Sequence, residues 1–242
     1  MAISDEQRQK MSSYVRGYLL RTAQSFGHQN ALFRASARWT HTLNVMQNLR
    51  LILDGEGTSP DARDVCEVAA LFHDVDHYTV QAMYHAARGA ETAGRFLTKA
   101  GYDPAFVERV VQAIRQHHRD LDDEVSIDEQ VQEIVDTLSL EARMVMDADT
   151  LDKIGVSNIL QAVLSMGTAR RQLAESAKEL TSGWPLQRAK LWKDLLTTPT
   201  GKVLGAERFA FYEAFLRQIE TEIVMDDPFP TSTQTQEVAQ VQ

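Results

Sequence analysis

The run Leu71-Phe72-His73-Asp74-Val75-Asp76-His77 sets an imidazole beside a carboxylate at the end of an apolar helical stretch, Val68 to Phe72. Adjacent His and Asp can reach one metal ion there, because the chain is leaving helical geometry. His41 lies upstream, and His85, the His117-His118 pair and Asp149 lie downstream. Imidazole with carboxylate suits Mn, Fe, Zn or Co, and no cysteine stands beside these groups to suggest a structural zinc. His41, His73, Asp74 and Asp149 would give four protein ligands and leave positions open for water or substrate. His85, His117 and His118 would suit a second metal, with Asp74 as the bridge. Two metals about 3.5–4 Å apart can activate a water and clamp a phosphoryl oxygen. A lone His-Asp dipeptide means little, and a His-His pair alone is as often a surface feature. The set of seven groups is harder to explain as structure, since it takes five of the chain's seven histidines.

The elements that must position these groups read as helices. Met11, Tyr14, Val15, Tyr18 and Leu19 repeat at helical spacing and predict a helix over about 5–25. A second is expected over about 31–53, with His41 on or beside its buried face. Ser59-Pro60-Asp61 opens a third with an N-cap, a proline at the first position and an acid in the first turn. The next carries His85 and runs to Lys99; Gly89 and Gly94 within it predict a close helix contact. Asp103-Pro104 opens a helix ending at His117-His118, and Ser126 to Glu129 is a capping box that begins another. That helix or its successor leads to Asp149. One helix is expected over about 156–176, a packed loop with a short helix (186–196) over 181–201, and a last helix over about 205–224. Residues 119–125 read as an acidic solvated turn, His28 as a residue of a polar turn, and 226–242 as a disordered tail. No alternating strand pattern occurs, so the expectation is an all-α chain with one domain over 1–225.

Composition narrows the function. The net charge of −9 argues against a nucleic-acid surface, which needs clustered Lys and Arg. The single cysteine, Cys66, reads as a small buried apolar residue. No apolar run approaches the roughly 20 residues of a membrane span, and the first residues lack the apolar core of a signal peptide. A cytoplasmic setting is the expectation, with no membrane partner and the oligomeric state left open.

The order His41, His73-Asp74, Asp149 resembles the H…HD…D pattern of the HD-domain superfamily of metal-dependent phosphohydrolases. With His85 and His117-His118 it is similar to the longer pattern of the binuclear members. The resemblance covers about residues 35–165. It implies an all-helical bundle with the metal site at its centre, and divalent ions, two of them, drawn from Mn, Fe, Zn, Co or Mg. It also implies hydrolysis of a phosphate ester or anhydride of a small substrate, with nucleotides among the classes open to it. The Gly-Tyr-Pro element of the HD-GYP phosphodiesterases is replaced after His118 by Arg119-Asp120-Leu121-Asp122, and Val75-Asp76-His77 stands where the (p)ppGpp hydrolases carry Glu-Asp.

Besides Asp74, three side chains are expected to serve the reaction. His77 would be a proton donor to the leaving oxygen or a phosphate contact. Arg88, one turn from His85, would bind a non-bridging oxygen, and Lys153 would do the same from beside Asp149. Asp152 shares the face of Asp149 and could orient a ligand histidine. The ligand types alone also fit a di-iron oxygenase of the same pattern, and a non-catalytic binding module of that fold is a third reading.

Overall fold

The computed structural model describes residues 3–25, 30–79, 84–118, 122 and 124–223. Among these there are eleven α-helices and no strand. The expectations for His28, for residues 119–121 and for the tail fall outside the described residues.

Helix α7 (Leu140–Asp152) is the axis of the fold. Every residue from Met144 to Asp152 is buried, and the helix lies against α2 (Ala31–Gly55), α3 (Pro60–Phe72) and α5 (Pro104–Gln116). A helix enclosed on all sides should be apolar all round. Here it holds three buried carboxylates, Asp147, Asp149 and Asp152, so each must find its own partner. Around this axis α1 (Asp5–Ser25) packs on α2 and α3, and α4 (His85–Lys99) on α5. Tyr14, Phe72 and Phe96 join α1, α3 and α4 through ring contacts of 4.4–6.0 Å between centroids.

The start signals in the sequence act as expected. Ser59 accepts from Ala62 N, Asp103 from Ala105 N and Phe106 N, and Ser126 and Glu129 close a capping box. The expected close contact also forms: a Cβ on Gly89 would lie 3.0 Å from the carbonyl oxygen of His73, and one on Gly94 3.1 Å from Val111 Cγ2.

Two expectations in the C-terminal part are corrected. The single helix over 156–176 is two, α8 (Val156–Thr168) and α9 (Leu173–Leu180). Arg170 takes a left-handed conformation (φ 56°), with Arg170 N bonded to Gly167 O and Arg171 N to Met166 O, a closure that ends a helix. Helix α10 spans Trp184–Asp194, and α11 starts at Pro199 and reaches Glu222. Thr198 caps α11 by accepting from Gly201 N. Asp147 anchors that end by accepting from the backbone N–H groups of Thr197 and Thr198 and from both hydroxyls, at 2.7–3.2 Å.

Candidate metal centre

The centre is assembled from helix ends. His73 follows α3 and His117 follows α5, where the last carbonyls lack a partner within the helix. His73 Nδ1–H donates to Ala70 O at 2.7 Å, and His117 Nδ1–H to Ile114 O at 2.6 Å. Each bond fixes the tautomer and leaves Nε2 as a lone pair facing inward. His41 projects from the middle of α2, and its Nδ1–H donates to Asp152 Oδ2 at 2.7 Å. Asp152 thus meets the expectation that it orients a histidine.

On one side of the centre, four acceptors converge. His41 Nε2 lies 3.3 Å from His73 Nε2, 3.2 Å from Asp149 Oδ1 and 3.5 Å from Asp74 Oδ2. On the other side, His85 Nε2 lies 3.3 Å from His117 Nε2 and 3.3 Å from Asp74 Oδ1. Asp74 therefore divides its oxygens between the two sides. The rings of His85 and His118 stand 4.8 Å apart. Two triads have potential ligand atoms all within 4.8 Å of one another, His41–His73–Asp149 and His73–Asp74–His117. They share His73, whereas the sequence reading had Asp74 alone as the shared group.

The donor set fits a metal. Buried lone pairs that face one another at hydrogen-bond distance require a cation or a proton between them. The electrostatics give the same sign. Burial disfavours charge on His41, yet hydrogen bonds to Asp149, Asp152 and Asp74 outweigh it and lift the ring to about 11. Burial opposes ionisation of Asp149, but Lys153, His41 and His73 hold it well below the usual carboxylate range. Asp74 is held low against burial by His73, Arg38 and His41. Burial pushes His117 down to about 3 and also lowers His73.

The remaining expected residues separate. Lys153 is at the centre, with Nζ bonded to Asp149 Oδ2 at 2.8 Å. His77 is also there: its Nε2 accepts from Arg38 Nη2 at 2.7 Å, and its Nδ1 lies 4.0 Å from Asp74 Oδ1. Burial and the Arg38 charge push it down to about 4. Arg88 is not drawn into the cluster: its side chain is exposed and pairs with Glu91 at 2.7 Å on the surface of α4. The guanidinium at the centre belongs to Arg38, which pairs with Asp74 Oδ2. Its position three residues before His41 on one helix was the signal that could have found it. Asp76 was also missed. It is buried and accepts from Tyr18 Oη and Thr79 Oγ1, each at 2.9 Å, and from Thr92 Oγ1, which pins the turn that carries His77.

The HD domain family matches residues 38–154, a span that holds nearly all of this centre. The uncharacterized protein YpgQ of Bacillus subtilis (strain 168) is 34% identical over 86 residues, 36% of this chain and 42% of YpgQ, so the match spans less than half of that relative. Among solved structures, an HD-superfamily hydrolase from Bacillus thuringiensis superposes with a TM-score of 0.61 at 20% identity, covering 90% of this chain and 96% of that one. Bacillus subtilis YpgQ in complex with ADP gives 0.56 at 22% identity, covering 89% and 96%. These likenesses are of fold. Among the described residues, no helix is long and apolar enough to cross a membrane.

Proposed function

The chain belongs to the HD-domain family through residues 38–154, and from that premise we propose that it is a metal-dependent hydrolase of a phosphate ester or anhydride in a small substrate. The observation that carries this reading is the division of Asp74, with Oδ2 toward His41 and His73 and Oδ1 toward His85. A carboxylate so placed can serve two metal positions. His41, His73 and Asp149 would hold one ion, and His85, His117 and His118 the other. When bound, such ions supply Lewis acidity and lower the pKa of water.

The chain's own groups prepare the site. Asp152 and the carbonyls of Ala70 and Ile114 hold three rings with Nε2 inward. Arg38 and Lys153 balance the carboxylates and offer positive charge to an incoming phosphate. His77 keeps a lone pair on Nε2 engaged by Arg38, which leaves its proton on Nδ1, toward Asp74. YpgQ has been solved with ADP, and that favours a nucleotide among the substrate classes.

Hydrolysis by Mn-loaded protein tests the reading, with a monoester, a diester and ADP as substrates: phosphate release reports the monoester and ADP, and release of the alcohol reports the diester. Turnover that disappears in Asp74→Ala is expected. Metal demonstrably bound with no turnover on any of the three would count against it.

A further inference from the structure

The two carboxylates that face imidazole Nε2 atoms, Asp74 and Asp149, are each paired with a cation, and both cations bear on the same half of the centre. Arg38 Nη1 pairs with Asp74 Oδ2, the oxygen 3.5 Å from both His41 Nε2 and His73 Nε2. Lys153 Nζ holds Asp149 Oδ2 at 2.8 Å. The other oxygen of Asp74 points to His85. Arg38 is the more enclosed of the two cations, its side chain 23% exposed against 35% for Lys153. Its second amine donates to His77 Nε2 at 2.7 Å. The guanidinium is thus tied at both ends and is only partly screened by water.

A positive charge fixed a few ångströms from a cation site lowers the affinity of that site. We propose that Arg38, through Asp74, makes the His41–His73–Asp149 half the weaker of two metal positions, an inference that rests on the two-metal reading above. Arg38 is in these terms a positioning residue that tunes the metal. A merely structural arginine, one that only orients Asp74, predicts that its loss weakens metal binding. Charge compensation predicts the opposite sign.

Calorimetric titration of the full chain with Mn separates the two without any need for turnover. The wild type should bind in two steps of unequal affinity, and Asp149→Asn should abolish the weaker one. Arg38→Gln should tighten the weaker step by about tenfold or more, the direction expected when a nearby like charge is removed. Arg38→Lys, which keeps the charge, should stay near the wild type. Equal affinities in the wild type overturn the proposal without recourse to a variant. So does an Arg38→Gln protein that binds Mn as weakly as the wild type, or more weakly. A wild-type chain that takes up no Mn fails at an earlier point, because it removes the metal reading itself.

Discussion

Asp152 on α7 accepts the Nδ1–H of His41 on α2 at 2.7 Å, so one core helix sets the ring of another. The pair spans 111 positions of sequence. It turns Nε2 toward Asp149 and His73 and keeps it from rotating away.

Removing that orienting carboxylate should therefore reach the metal without touching it. Asp152→Ala is expected to lower Mn affinity by roughly 10–100-fold, the usual cost of losing such a partner. Equilibrium dialysis against Mn measures this. Unchanged affinity would show that the His41 ring is held by its other contacts.

Gly89 permits the end of α3 to approach α4. A Cβ there would lie 3.0 Å from His73 O and 3.4 Å from Phe72 O. Neither backbone atom can step aside without moving His73-Asp74. Gly89→Ala should cost about 1–3 kcal/mol of stability, read from the urea midpoint, and should weaken Mn binding as well. A variant as stable as the wild type would mean that α4 shifts freely.

Arg88 serves as a control for the centre. Its exposed pair with Glu91 is of a kind worth about 0–1 kcal/mol. Arg88→Ala should keep turnover within about twofold of the wild type, because the pair lies on the surface. A far larger loss would put Arg88 back in contact with substrate.

Cys66 is buried, and burial, reinforced by the charge of Glu141, pushes its thiol up to about 12. A raised pKa leaves the neutral thiol dominant at pH 8, and the thiolate is the reactive form. The native protein should react slowly with a thiol-specific reagent at pH 8, then release one equivalent on denaturation. Rapid labelling of the folded chain would show that α3 opens.

Local signals made the central helices legible. Ser59-Pro60 and Asp103-Pro104 marked the starts of α3 and α5, and the apolar stripes fixed which faces turn inward. The same signal at Thr198-Pro199 starts α11, but the Gly, Pro and Trp around it read as a loop. What stabilises that start is Asp147, about 50 residues upstream, and no local pattern encodes such a contact. Of the guanidinium groups, Arg88 stood near a histidine in sequence, yet helical phase turned it outward. Arg38 shared a face with His41, and only the packing of α2 against the end of α3 shows that it meets Asp74. The sharing of His73 between two triads is likewise a matter of tertiary geometry.

The most direct measurement is the metal content of the wild type and of Asp74→Ala after loading with excess Mn. If the two oxygens of Asp74 serve two positions, elemental analysis will find close to two ions per wild-type chain and less than one in the variant. One ion in the wild type, or two retained by Asp74→Ala, would contradict the account.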